Sequence, residues 1–163
     1  MSENQLSLYK ISSEYVKYLH AFDYRVSVKY NNRPFVGIIT MINDKKYVLP
    51  LTSQTTDKRI KEGKRKRANE ITTFVRDIKG NEIANILHND MFPVVEGTYT
   101  LMDIDATTNT FESNEIRYIR KHADEIILKA QKVYARRIEG RNQFLVKTCC
   151  DFKKLESKSE EYI

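Results

Sequence analysis

The stretch Pro34–Leu51, PFVGIITMINDKKYVLPL, decides the fold. An apolar run over Pro34–Ile42 meets a polar turn at Asn43–Lys45, and a second apolar run follows over Lys46–Leu51. Two such runs around a short polar turn predict an antiparallel hairpin. The second strand is expected to break at Pro50, which has no N–H to give to a sheet, and to spill into Thr52 and Ser53.

Working outward, Leu6–Ile11 (LSLYKI) reads as a short strand. Ser12 and Ser13 are candidate caps for a helix reaching about Phe22, with Tyr15, Tyr18, Leu19 and Phe22 as its apolar stripe. Asp23–Arg33 (DYRVSVKYNNR) is a polar connection. Downstream, Ile71–Ile78 and Glu82–His88 flank Lys79–Asn81 as a second hairpin, and Met91–Val95 and Tyr99–Ile104 continue the strand-rich part. From about Phe111 the apolar period changes to three and four through Ile116, Ile119, Ala123, Ile126, Ile127, Ala130, Val133 and Tyr134, which predicts one long helix ended by Gly140. A closing helix is expected over about Gln143–Glu161. The fold class is therefore α+β: a strongly bent antiparallel sheet or a small barrel, covered by helices that include a long C-terminal helical region.

Composition narrows the function classes. The chain has 163 residues, 40% apolar and 31% charged, with 17 aromatics but only 5 Gly and 3 Pro, so one folded domain over 1–163 is expected and disorder is not. No stretch approaches the roughly 20 apolar residues of a membrane span, and Met1–Gln5 has no hydrophobic signal region, which predicts a cytoplasmic protein without a membrane partner. The only cysteines, Cys149 and Cys150, are adjacent and read as packing in a reducing compartment. Neither they nor His20, His88 and His122 have zinc-ligand spacing, so no metal and no cofactor are expected.

The net charge of +6 is local. Lys58–Arg67 (KRIKEGKRKR) holds seven basic residues against Glu62 alone, and the remainder balances. Such a cluster favours a polyanion, most simply RNA or DNA phosphates, although a solvated loop is the plainer alternative. The residues singled out for binding are Arg59, Lys61, Lys64, Arg65, Lys66 and Arg67. On the long helix Lys129, Lys132 and Arg136 share a face that is either a second phosphate rail or a solvent side. Just before the basic run, LPLTS ends a strand on Thr52 and Ser53, whose hydroxyls could bond phosphate oxygens or merely close a turn. Tyr30 and Arg33, in YNNR, offer a stacking ring and a bidentate phosphate fork. Tyr15 is explained by its helical stripe, but its hydroxyl needs a partner that an active-site edge could supply.

Taken in order, YKISSEYVKYL (9–19), Y-x-x-R-P-F-V-G-I (30–38), YVLPLTS (47–53), NDMFPVV (89–95) and CCDFKKLE (149–156) resemble the ToxN/AbiQ toxins of type III toxin–antitoxin systems, nearest to the CptN-like group. The resemblance implies a bent antiparallel barrel similar to that of the Kid and MazF toxins. It also implies a metal-independent endoribonuclease that cuts A-rich RNA. Its implied partners are substrate RNA and a small antitoxin RNA pseudoknot, cut from a repetitive precursor by the toxin and closed with it into a protein–RNA ring. By position it implies catalytic roles for Ser53, Thr52, Tyr15, Tyr30 and Arg33. Family members often carry a lysine two residues after the serine; this chain reads LTSQTTDKR, so Lys58, Arg59 or Lys61 must substitute, and Lys58 is assigned to the catalytic set. The competing class is a non-catalytic RNA-binding or ribosome-associated module, with a module for an acidic protein partner as a third.

Overall fold

The structure, a computed structural model, describes residues 5–28 and 35–162. In chain order its elements are β1 (Leu8–Ile11), α1 (Ser13–His20), β2 (Phe35–Ile42), β3 (Lys45–Thr52), α2 (Thr56–Lys61), β4 (Thr72–Arg76), β5 (Glu82–Leu87), a 3-10 turn (His88–Asp90), β6 (Phe92–Pro93), β7 (Tyr99–Leu101), α3 (Phe111–Lys121), α4 (Ala123–Glu139), α5 (Gln143–Thr148) and α6 (Phe152–Glu160). The class is α+β with a seven-stranded antiparallel sheet.

The β2–β3 hairpin closes with a two-residue turn, in which Asn43 and Asp44 both have positive φ (51° and 65°) and Ile42 pairs with Lys45. That turn type matches the twist of the two strands, and Asn and Asp are the side chains that tolerate it best after glycine. Gly37 lies opposite Pro50. A Cβ there would stand 2.4 Å from Val48 Cγ2 and 2.7 Å from the Leu49 carbonyl oxygen, so only glycine lets β2 and β3 approach this closely.

Contrary to the expected break, β3 runs through Pro50 to Thr52. On its edge away from β2, Tyr47 and Val48 pair with β6 while Leu51 and Thr52 pair with β5. Pro50 falls where β3 passes from one neighbour to the other, and there its missing N–H costs no ladder bond. This split bends the sheet. The strand path runs β4-β5-β3-β2-β1-β7 and does not close among the described residues, so of the two expected forms the bent sheet is the one observed and the closed barrel is not. No helix among the described residues is long and apolar enough to cross a membrane.

The single long helix expected after Phe111 is two, α3 and α4, broken at His122 (φ −109°, ψ 21°). The apolar spacing persists through the break because spacing records which residues face inward, not whether the axis is straight; α3 packs against β4 and α4 against β2. Gly140 ends α4 in the left-handed conformation, as expected. The closing helix is likewise divided, because Cys149 is extended and both cysteines are fully buried. Burial pushes the Cys149 thiol up to about 11 and Cys150 well above its ordinary value, as inert packing residues require. Asp23 stitches this joint: its carboxylate accepts from the Asp151 N–H (2.6 Å) and from Arg25 Nε (2.8 Å), while Arg25 Nη1 donates to the Val146 carbonyl (2.7 Å). Burial would raise the Asp23 carboxyl, but the bonds from Arg25 and Asp151 outweigh it and hold it low.

Glu115 on α3 has no such compensation. Burial, with Glu112 as a like charge nearby, pushes its carboxyl from the ordinary 4.5 up to about 8. The folded chain therefore binds this proton more tightly than the unfolded chain, and the stability it contributes is lost as pH rises from about 4.5 to about 8. Glu115→Gln should match the parent at pH 5 and exceed it by at least about 1 kcal/mol at pH 9 in urea unfolding. Equal stabilities at pH 9 would refute this.

Candidate active site

The end of β3 delivers Thr52 and Ser53 to the surface. Thr52, half-buried, pairs with Asn85 of β5, and Ser53, exposed, is the first residue past the sheet. Thr52 Oγ1 accepts the Gln54 N–H at 3.2 Å, the turn-closing bond that was the plainer reading of this hydroxyl. Thr55 then caps α2 by accepting the Lys58 N–H (3.4 Å), with Asp57 in the first turn. This short helix lies inside the run read as a basic loop.

Because Thr55 is the cap, Lys58 falls in the first turn, and its Nζ folds back to donate to the Ser53 carbonyl at 3.4 Å. Gln54 gathers two more cations. Its carbonyl accepts from Arg67 Nη1 (2.9 Å), and its Oε1 accepts from Arg67 Nη2 (3.1 Å) and Arg59 Nη1 (3.3 Å). Arg59 Nε also donates to the Arg65 carbonyl (2.8 Å), which folds the loop onto itself. Burial of Arg67 and the charge of Arg59 beside it lower the proton affinity of the Arg67 guanidinium, with Asp90 and Glu82 offsetting only part. Two guanidiniums held this way are stabilised by an added anion.

The platform beneath is made by Glu82 and Asn85. Glu82 Oε2 accepts from the Thr56 N–H (2.9 Å), the Thr56 hydroxyl (3.2 Å) and Asn85 Nδ2 (2.6 Å), so it fixes the start of α2 on β5. Buried Asn85 also reaches the Gln54 carbonyl at 3.5 Å. Gln54, Glu82 and Asn85 were not singled out from sequence. They carry no motif, and only the pairing of β3 with β5 puts them under the loop.

The other expected residues divide. Lys61, Lys64, Arg65 and Lys66 are exposed on the basic segment, Lys64 pairing with Glu62 at 3.0 Å. Lys132 and Arg136 are exposed on α4. Lys129 is not a free rail cation: its Nζ donates to the carbonyls of Asn69 and Thr72, and burial lowers its pKa. It thus anchors the far end of the basic segment to α4. Tyr15, expected at the site's edge, is fully buried, with its ring against Tyr162 and Phe92 and its hydroxyl donating to the Pro93 carbonyl at 2.5 Å. Its helical stripe had already explained it. Tyr30 and Arg33 lie outside the described residues.

Each histidine has a local commitment. His88 is buried on Thr73 Oγ1 (2.8 Å) and pushed down to about 3 by burial and by Lys129, His20 meets the Val26 carbonyl (2.6 Å), and His122 lies 3.5 Å from Glu125. Here the chemistry available is hydroxyls, a folded-back lysine and two arginines at one strand end, a set suited to a phosphodiester.

The family model for toxin ToxN of type III toxin–antitoxin systems matches residues 7–160. The chain belongs to the ToxN family. It is 30% identical over 166 residues to the endoribonuclease ToxN of Bacillus thuringiensis subsp. kurstaki, across 93% of this chain and 81% of that protein. It is 26% identical over 163 residues to the endoribonuclease AbiQ of Lactococcus lactis subsp. lactis, across 96% and 89%. A structure from work on selective toxin inhibition by a non-coding RNA pseudoknot in bacterial type III systems is similar with a TM-score of 0.81 at 28% identity, covering 97% of this chain and 98% of that one. In this member of the ToxN family the lysine that returns to the strand end is Lys58, through the Ser53 carbonyl.

Proposed function

We propose that this chain is the endoribonuclease toxin of a type III system and that it cuts A-rich RNA by transesterification at the Thr52–Ser53 strand end. The observation that carries the reading is the gathering of Lys58, Arg59 and Arg67 around Ser53 and Gln54. In the step proposed, the ribose 2′-oxygen bonds to the adjacent phosphorus and the bond from phosphorus to the 5′-oxygen breaks. The 2′ proton leaves, the 5′-oxygen takes one up, and the ends are a 2′,3′-cyclic phosphate and a 5′-hydroxyl. Lys58 and Arg33 neutralise the charge that grows on the non-bridging oxygens, where fixed donors lower the barrier most. Thr52 and Ser53 orient the phosphate. A serine hydroxyl is too weak an acid to serve as base alone, so Ser53 donates a hydrogen bond or relays a proton. Tyr30 positions the substrate. Tyr15 is left out of the chemistry, because its hydroxyl is already spent on Pro93.

Arg59, Lys61, Lys64, Arg65, Lys66 and Arg67 track the RNA backbone, with Lys132 and Arg136 extending the track. The antitoxin is a small RNA pseudoknot that occupies the same cations, since an inhibitory and a cleavable polyanion want the same charges. The toxin processes it and closes with it into a ring in the cytoplasm.

Incubating the pure chain with labelled A-rich RNA in excess EDTA tests the chemistry. Cyclic-phosphate ends are expected. Intact RNA that only shifts in mobility would make the protein a binder instead.

A further inference from the structure

Arg59 and Arg67 also line a cleft of about 420 Å³ that opens between the chain after α1, the 3-10 turn and the α5 end. Its volume lies within the range of sites that hold a molecule the size of a nucleotide. Its walls divide by chemistry. Arg59, Arg67 and Lys147 bring positive charge, Tyr24 brings an aromatic ring, and Asn89 and Asp90 bring amide and carboxyl groups. Tyr24 is 73% exposed, and Arg25 stands 5.4 Å from its ring centre on one side. A large aromatic left this open, braced by a guanidinium, is a stacking platform in waiting.

Asp90 is the polar feature of the cleft. Its Oδ2 accepts from the Ser27 hydroxyl at 2.9 Å and its Oδ1 from Asn89 Nδ2 at 3.0 Å, which fixes the carboxyl plane while leaving acceptor capacity on each oxygen. Burial pushes this carboxyl up to about 6, against the pull of Ser27 and Arg67. The cleft adjoins the site directly, because the two arginines that line it are the same two that hold Gln54, one residue past Ser53.

We propose that this cleft is a base-reading subsite for a nucleotide next to the cut, in which Tyr24 stacks on the base and Asp90 selects bases that carry an exocyclic amino group. This deepens, and rests on, the endoribonuclease reading above. A fixed carboxylate accepts from the amino group of adenine and is repelled by the O4 carbonyl that uracil presents at the equivalent edge. It is therefore a specificity-determining residue, and the motif NDMFPVV supplies it.

The test places adenine, uracil or amino-free purine singly at each position flanking the cut in a short RNA and measures kcat/KM. At one position the parent should prefer adenine over both alternatives by about 10-fold or more, the scale of a good base contact. Asp90→Asn, which can donate as well as accept, should reduce that preference to within about 3-fold. Tyr24→Ala, at an exposed position that does not endanger folding, should raise KM about 10-fold for every base, with kcat less affected. A parent that cuts but whose base preference survives Asp90→Asn, or whose KM survives Tyr24→Ala, overturns the subsite alone. Should Asp90→Asn fail to fold, the Tyr24→Ala KM decides. A parent that cuts no RNA at all overturns the endoribonuclease reading and the subsite with it.

Discussion

Ser53→Ala should lower kcat/KM for RNA cleavage about 100- to 1,000-fold, equivalent to about 2.7 to 4 kcal/mol of transition-state stabilisation, the usual loss on removing one donor to a developing oxyanion. The same change should leave stability within about 0.5 kcal/mol of the parent, because the residue is exposed beyond the last pair of β3. Its backbone carbonyl, which receives Lys58 Nζ, is untouched by the substitution, so the lysine keeps its position. The loss therefore belongs to the hydroxyl. The expected pattern is a fall in kcat with RNA affinity retained, since the cations that bind phosphate remain. Full cleavage by the alanine variant would remove Ser53 from the mechanism.

Glu156→Ala should cost about 3 kcal/mol or more of folding stability, read as a lowered urea midpoint. Tyr47 of β3 and Tyr134 of α4 both donate to Glu156 Oε2, each at 2.6 Å, so one carboxyl oxygen of α6 joins the central strand to the main helix. All three residues are buried, and Tyr134 stacks on Phe152 with Tyr47 edge-on to both rings. Burial and the Glu156 carboxylate push the Tyr47 phenol well above its ordinary range, keeping it a donor. Truncating Glu156 leaves two buried hydroxyls without an acceptor and opens a void, and each unsatisfied group costs about 1 to 3 kcal/mol. Glu156→Gln, which keeps an acceptor oxygen, should lose less than half as much. A loss below about 1 kcal/mol for the alanine variant would mean that the node does not hold the layers together.

These two residues differ in how readable they were. Ser53 stood out because a strand ended on hydroxyls beside a concentrated positive charge, a local pattern that survives in one dimension. Glu156 sat at the end of CCDFKKLE, just after two lysines, where its ordinary expectation is solvent. Nothing local distinguishes a carboxylate that two distant tyrosines will meet. The same contrast applies to the cations. Lys58 was one of three cations that could fold back toward Ser53, and with Thr55 capping α2 its Nζ reaches the Ser53 carbonyl, whereas Lys129 read as a surface cation, on a phosphate rail or a solvent side, because its partners are carbonyls 57 and 60 residues away. The helices show the limit of periodicity. Spacing marked the buried face of α3 and α4 correctly through His122, but it carries no information about where an axis turns.

What was legible along the chain is what short-range physics sets: the hairpin turning within Asn43–Lys45, the helix stripes, the capping serine, the concentrated charge and the strand end it borders. Three-dimensional packing settled the rest. It split the outer edge of β3 between two partners and left the sheet open. It also drew Gln54, Glu82 and Asn85 beneath the basic segment, sealed Tyr15, and set Asp90 in a cleft beside the strand end. Those outcomes depend on contacts between residues far apart in sequence, whose free energy is realised only when the core closes, and no window along the chain contains both partners.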